Sequence, residues 1–165
     1  MALEIERRFL VKNDKWKEFI TQSTLIEQGY LSNNYEDWII RLRFNGKEFK
    51  IGIKKHIKSF TNFEFEYSIP KSDGEKIMSN LKNIIKKERF FLEVEKKLWI
   101  VDCFKEKNFP LEVAEIELSK EEEKLNLPTF ISTEITGIRN FSNFSLSNYP
   151  FSKWRTNDLT TLRKS

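Results

Sequence analysis

Five pairs of like charges two residues apart stand out in the strand-like stretches of this chain: Glu4 and Glu6, Arg41 and Arg43, Glu64 and Glu66, Lys87 and Arg89, Glu115 and Glu117. Residues two apart share one face of a strand, about 7 Å from each other, where like charges repel. Carboxylates in such numbers suit hard divalent cations, and guanidinium and ammonium groups suit phosphate oxygens. With Arg8, Lys54 and Asp102 added, six bases (Arg8, Arg41, Arg43, Lys54, Lys87, Arg89) and seven acids (Glu4, Glu6, Glu64, Glu66, Asp102, Glu115, Glu117) could line one cavity. Such a lining fits a compact polyanion held together with metal. The chain has one histidine, His56, and one cysteine, Cys103, so zinc on nitrogen and sulfur ligands is nearly excluded and Mg²⁺ or Mn²⁺ is expected.

Alternation of charged and apolar residues is also what any half-buried antiparallel sheet shows, with its charged face in water. Strand by strand that reading suffices. It does not account for the sorting by sign, because a solvated face normally mixes Lys, Glu, Ser and Thr.

The elements that would carry these residues read mainly as strands. Period-two alternation marks Leu3–Val11, Glu27–Ser32, Trp38–Phe44, Glu48–Lys55, Asn62–Ile69, Glu88–Val94, Leu98–Phe104, Glu112–Leu118 and Ser132–Ile135. Asn45-Gly46 signals a hairpin. Three helices are expected: Asn13–Gln22, a second over Ser72–Ile85 with a Ser72/Glu75 capping box, and a short acidic one starting at Ser119 and ending before Pro128. Eight or so strands with few helices imply an α+β fold, a closed eight-stranded antiparallel barrel with helices packed outside. A barrel of that size has room for one small ligand. One domain over residues 1–154 is expected, followed by a polar tail, 155–165, without periodicity and expected to be mobile.

At 165 residues with 39% hydrophobic and 33% charged residues, the chain suits a single globular domain. No apolar run spans a membrane, and the charged N-terminus lacks a signal-peptide pattern. One cysteine builds no disulfide framework, so a cytoplasmic location is the expectation. The net charge of +4 is a weak argument for a nucleic-acid partner, and glutamates clustered on the same faces argue against one. Trp16, Trp38 and Trp99 read as packing residues, Cys103 as core beside Asp102, and His56 as a loop residue without a role.

The ordered series of motifs resembles the CYTH, or triphosphate tunnel metalloenzyme, family. Its first-strand signature, E-x-E-x-K, reads Glu4-Ile5-Glu6-Arg7-Arg8. Tyr30, Arg41 and Arg43, Lys54, Glu64 and Glu66, Lys87 and Arg89, Asp102, Glu115 and Glu117, and Glu134 follow in family order across residues 3–150. Two departures stand out: Arg8 replaces the family lysine, and the usual T-I-K-G is Gly52-Ile53-Lys54-Lys55. The resemblance implies a triphosphate-binding tunnel with Mg²⁺ or Mn²⁺, and the opening is most similar to bacterial inorganic triphosphatases. Under it, Glu4, Glu6, Glu64, Glu66, Asp102, Glu115 and Glu117 serve metal, directly or through water. Arg8, Arg41, Arg43, Lys54, Lys87 and Arg89 bind phosphate. Lys54 and Tyr30 are the implied base pair, with Lys54 expected to be depressed in pKa by neighbouring cations.

The resulting expectation is metal-dependent hydrolysis of tripolyphosphate to pyrophosphate and phosphate by a protein that takes a small anionic substrate and has no membrane partner. A homodimer is left open. Nucleoside or thiamine triphosphatase, class IV adenylate cyclase, and a non-catalytic polyphosphate-binding domain stand as alternatives.

Overall fold

A computed structural model describes residues 3–32 and 38–155. Nine antiparallel strands run in the order β1 (Leu3–Val11), β2 (Ile20–Tyr30), β3 (Ile39–Phe44), β4 (Phe49–Lys58), β5 (Thr61–Ile69), β6 (Ile85–Val94), β7 (Lys97–Phe104), β8 (Glu112–Glu117) and β9 (Ile131–Glu134). The neighbour order is β5-β4-β3-β2-β6-β7-β8-β1-β9, and β5 also pairs with β1. That last pairing closes a ring of eight strands, as the sequence implies, and leaves β9 as an addition to it.

Closure takes place along one edge of β1, which two strands share. β5 pairs with Leu3, Glu4 and Ile5, while β9 pairs with Phe9 and Val11. Between them the edge has single links: the Glu6 amide to the Phe60 carbonyl at 3.5 Å, the Arg8 amide to the Thr136 hydroxyl at 3.0 Å, and the Ile135 amide to the Arg8 carbonyl at 2.8 Å. The other edge of β1 pairs with β8 from Glu6 to Leu10.

Period-two alternation decides what faces inward. On β1, β7 and β8 the apolar set Phe9, Trp99, Val101, Ala114 and Ile116 points to the outer wall, where Trp16 and Phe130 cover it. This leaves the charged set, Glu4, Glu6, Arg8, Asp102 and Glu115, to the interior. A second apolar cluster, including Ile85, Phe104, Val113, Phe141 and Leu146, fills one end of the ring. Two of its members come from the C-terminal segment, where α2 (Asn143–Asn148) starts at a Ser142 cap whose hydroxyl accepts from the Ser145 amide at 3.1 Å. Trp154 packs on Phe141 and Phe151, so the chain is anchored to that point. Beyond Arg155 the expected tail lies outside the described residues.

The hairpin at Asn45-Gly46 forms as expected. Gly46 takes φ +83°, and the Asn45 side chain accepts from the Lys47 and Glu48 amides. The helices differ more. The first is only a 3-10 turn, Asp14–Phe19, capped by Asn13, because Ile20–Thr24 extends β2 and pairs with β6. α1 (Lys71–Asn80) stops at Leu81, so Ile85 belongs to β6 and not to the helix stripe. Its cap position is Pro70 with no side-chain bond, and the Ser72/Glu75 capping box does not form. The acidic segment after Ser119 is not helical. Glu123 accepts instead from the Ser119 amide and hydroxyl and pairs with Lys97, which uses the carboxylate to hold a turn. Trp38 packs as expected, but on the outer wall: it is 39% exposed, stacked on Phe63, with the Lys55 ammonium over its ring.

Gly74, in the middle of α1, packs so closely on β4 that an added Cβ would meet Phe49 Cγ at 2.2 Å and Cβ at 2.6 Å. Alanine ordinarily stabilises a helix relative to glycine by about 1 kcal/mol. Here the sign should reverse: Gly74→Ala is expected to lower stability by about 1–3 kcal/mol, visible as a drop of several degrees in the thermal midpoint. An unchanged or raised midpoint would show that α1 does not sit where described.

Candidate active site

The interior charges fall into two ion-pair clusters. In the first, strands β1, β4 and β5 bring three carboxylates to one ammonium. Lys54 Nζ contacts Glu4 Oε2, with Glu6 Oε1 at 3.4 Å and Glu64 Oε2 at 3.6 Å. Arg41 adds to it, with Nη2 2.9 Å from Glu64 and 2.6 Å from Glu66, and Arg43 Nη1 lies 3.4 Å from Glu66. In the second, β6, β7, β8 and β1 build a fork. Arg89 Nε and Nη2 both lie 2.7 Å from the two oxygens of Asp102, and its Nη2 is 3.1 Å from Glu115. Arg8 Nε takes the other Glu115 oxygen at 3.1 Å, and its Nη2 donates to the Phe141 carbonyl. Lys87 binds Asp102 and donates to Asn143 of α2 at 3.2 Å.

Register explains the placement. Arg41 pairs with Gly52, and Gly52 with Glu66, across three adjacent strands. A Cβ on Gly52 would meet the Arg41 guanidinium at 3.0–3.4 Å, so the missing side chain is the space in which that guanidinium lies. This accounts for glycine at the first position of the segment that departs from the T-I-K-G pattern.

A cavity of about 390 Å³ opens from this interior. Its lining takes Glu6 and Arg8 from β1, Phe60 from the β4–β5 turn and Gly137 from the segment after β9, so both banks of the gap along β1 form its mouth. Tyr30, Arg41, Lys54 and Glu64 form the inner part. The Nε–H groups of Arg41 and Arg43 are buried and have no acceptor among the described residues. A buried donor left unpaired costs stability, and Arg41, which lines the cavity, has such a donor free to meet an anion.

The electrostatics separate the charged groups into roles. Burial, with Glu6 beside it, pushes the Glu4 carboxyl up to about 9, while Glu64 is held down to about 2 by its hydrogen bond with Glu4 and by Lys54 and Arg41, against the effect of burial. The three carboxylates therefore carry more negative charge than one lysine neutralises, and they keep a proton on Glu4. Burial opposes the Lys54 ammonium, but Glu6, Glu4 and Glu64 outweigh it and raise its pKa above the ordinary value. The sequence argument expected the reverse. Its premise, a lysine among cations, fits Lys87: burial, with Arg89 and Arg43 adding to it against Asp102, brings Lys87 down to about 8. Burial raises Tyr30 to about 12. Its hydroxyl accepts from Gln28 Nε2 at 2.8 Å, and no hydrogen bond joins it to Lys54 among the described residues. Burial, then Arg41 and Arg89, lowers Arg43 to about 10.

Of the expected site residues, Glu117 is the one not brought in. It is exposed at the end of β8, opposite Glu6 in register, with no ion pair among the described residues. Glu66 braces Arg41 and Arg43, and Asp102 and Glu115 are committed to the second cluster. Sequence reasoning missed His56, Asn62, Thr136 and Asn143, all of which line the cavity. His56 and Asn62 share a register position on β4 and β5, which alternation from Lys54 and Glu64 could have found. Thr136 lies in irregular chain and Asn143 opens the six-residue α2, too short for a period to show which way it points. Glu134, last in the motif series, instead forks onto Arg7 on the outer face.

A closed ring whose outer wall carries the apolar packing and whose interior carries sorted charges of both signs is a tunnel for a compact polyanion. No family model matches the chain. It is 32% identical to an inorganic triphosphatase of Acetivibrio thermocellus over 158 residues, 94% of this chain and 99% of that one. It also superposes on a crystal structure of an inorganic triphosphatase with a TM-score of 0.66 at 25% identity, covering 89% of this chain and 95% of the other. A putative adenylate cyclase from Bacillus halodurans, at 17% identity, a TM-score of 0.55 and 74% and 84% coverage, shares the fold. The chain belongs to the inorganic triphosphatase family, as its CYTH-like opening implied.

The Glu4 shift fixes a pH dependence. A carboxyl whose folded-state pKa is raised from 4.5 to about 9 costs the fold nothing below 4.5 and destabilises it progressively as pH rises towards 9. Replacing Glu4 by glutamine, which keeps the shape and stays neutral, should raise the thermal midpoint over wild type at pH 8.5 and make little difference at pH 4.5. Melting curves across that range check it; a variant less stable than wild type at pH 8.5 would contradict the raised value.

Proposed function

We propose that this protein hydrolyses inorganic triphosphate to pyrophosphate and phosphate inside the tunnel, with Mg²⁺ or Mn²⁺ on the carboxylates of β1 and β5, in the cytoplasm. The observation that carries the reading is the buried guanidinium N–H of Arg41, which has no acceptor among the described residues and lines one cavity with Glu6, Glu64 and Lys54, with Arg43 beside it. The relatives named inorganic triphosphatases support the choice of substrate.

Arg41 and Arg43 offer their free N–H edges to non-bridging phosphate oxygens, and Arg8 and Arg89 add charge from the opposite wall. Asp102 and Glu115 aim that second set, since each is bonded to two of its cations. Among the described residues no three histidine, cysteine, aspartate or glutamate side chains already stand as a metal site. Glu4, Glu6 and Glu64 nonetheless fit one: they are hard oxygen donors, and Glu4 keeps a proton because the trio lacks positive charge. A cation bound there would screen the phosphates and polarise the attacking water. Water adds to the terminal phosphorus, the bridging P–O bond breaks, and pyrophosphate leaves with that oxygen. Lys54 and Tyr30 stand at the same cavity as proton-holding groups. With its three carboxylates engaged elsewhere, Lys54 would lose the contacts that keep its proton, which is the condition for the base role the family resemblance gives it.

A second reading, an organic triphosphate as substrate, rests on Ile39, Phe60, Ile138 and Phe144 in the cavity lining, which offer an apolar surface to a base or thiamine.

Phosphate release from tripolyphosphate, pyrophosphate, ATP and thiamine triphosphate, each with Mg²⁺, Mn²⁺ or EDTA, separates these readings. Tripolyphosphate should turn over at least about tenfold faster than ATP, and EDTA should abolish the reaction; faster ATP or thiamine triphosphate turnover supports the second reading, and no metal-dependent turnover supports a binding domain. Glu6→Gln should reduce the rate by about 100-fold or more with an unchanged circular dichroism spectrum. Wild-type rates in that variant would remove Glu6 from the mechanism.

A further inference from the structure

A second hollow of about 350 Å³ lies on the other side of α2 from the tunnel cavity. The helix serves both: Asn143 and Phe144 line the tunnel cavity, and Leu146, Ser147 and Asn148 line the hollow. The floor is built, not loose. The Lys105 amide donates to the Lys86 carbonyl at 2.9 Å, and the buried Asn108 side chain accepts from the Phe151 amide at 2.9 Å.

Five lysines face this hollow: Lys82, Lys86, Lys105, Lys107 and Lys153. Glu106 is the one carboxylate in its lining. Lysines outnumber the carboxylate of the lining by four, and Glu88 meets one of them, Lys105, from outside it. Lys86 is paired with Glu106 at 3.1 Å and Lys105 with Glu88 at 2.9 Å. Lys82, Lys107 and Lys153 are exposed and have no ion pair among the described residues.

The chemistry of the lining selects among anions. It has no aromatic ring on which a nucleobase could stack, and no arginine fork for a planar, bidentate partner. Compact, mobile ammonium groups suit a flexible ligand of dense, evenly spaced charge. We infer that this hollow is an anchoring site for inorganic polyphosphate chains, separate from the tunnel and held by Lys82, Lys107 and Lys153 with Lys86 and Lys105 behind them. The inference concerns binding alone and stands whether or not the tunnel hydrolyses triphosphate.

The test is calorimetric titration of the full chain with polyphosphate of about 100 units, in metal-free buffer so that no substrate is consumed, with tripolyphosphate present to fill the tunnel. The triple variant K82Q/K107Q/K153Q replaces only exposed side chains, a class of change that leaves folds intact. It should bind polyphosphate at least about tenfold more weakly than wild type, and wild-type affinity should fall as salt is raised. Its tripolyphosphate turnover, measured separately with metal, should match wild type. Equal polyphosphate affinity in the variant overturns the site. Tighter wild-type binding of a single-stranded oligonucleotide of equal length would reassign the hollow to nucleic acid and overturn the proposal as well. Absence of tripolyphosphate turnover in both proteins would count against the tunnel reading and leave the binding comparison intact.

Discussion

Charges removed from water must be paired, and this fold is arranged around that requirement. An isolated buried ion costs several kcal/mol, and a pair offsets the cost only with good geometry and further hydrogen bonds. Lys87 and Asp102 have side chains that are 0% and 1% exposed, and each has a second partner besides the other: Asn143 for Lys87, Arg89 for Asp102. The same logic runs around the ring, where each cation leans on a carboxylate from a neighbouring strand or from across the barrel. Replacing buried ion pairs with well-packed apolar residues is often neutral or stabilising. Their presence is therefore a statement about ligands and not about folding. Folding is left to the outer wall, where Trp16, Trp99, Phe9 and Phe130 form a core, and to the apolar cluster at one end of the ring.

Two kinds of imbalance remain after this pairing. On the β4–β5 side the carboxylates exceed their cations, and Glu4 keeps a proton in consequence. Deeper in, Arg41 and Arg43 keep N–H groups that no atom among the described residues accepts. One deficit calls for a cation and the other for an anion, and Glu6, Glu64 and Arg41 bring both to one cavity. A ligand and a metal ion that arrive together relieve both, so each should favour the binding of the other. Lys54 stands between them, since the contacts that hold its proton are to the same carboxylates a cation would claim.

How much of this was legible in the sequence follows from the physics of each element. The strands were, because a half-buried wall imposes period two over many residues: β1 was read to the residue as Leu3–Val11. The sign-sorted pairs were legible for the same reason, and the structure brings all but Glu117 into the two clusters or their braces. The helices were not. The stripe through Ile84 and Ile85 is continuous in sequence, but Ile85 pairs with Gln28, and strand pairing prevailed over helix periodicity there. The acidic run after Ser119 carried a capping pattern without an apolar face to bury, and its carboxylates went to local turns and to Lys97. For Lys54 the partners decided, not the residue type: Glu6, Glu4 and Glu64 surround it in place of cations. Which charges share a strand can be read from spacing, but which strands lie side by side in the ring cannot, and cross-strand neighbours set the pKa.

The shared edge of β1 has an evolutionary consequence. Because β5 and β9 each cover only part of it, the channel mouth between them is bordered by irregular chain, from Ser59 and Phe60 on one bank and Thr136 to Arg139 on the other. Insertions or substitutions in those two stretches would reshape the entrance without disturbing a single ladder of the ring. Descendants of one ancestral scaffold could thus come to admit bulkier or slimmer molecules while inheriting the same internal chemistry unchanged.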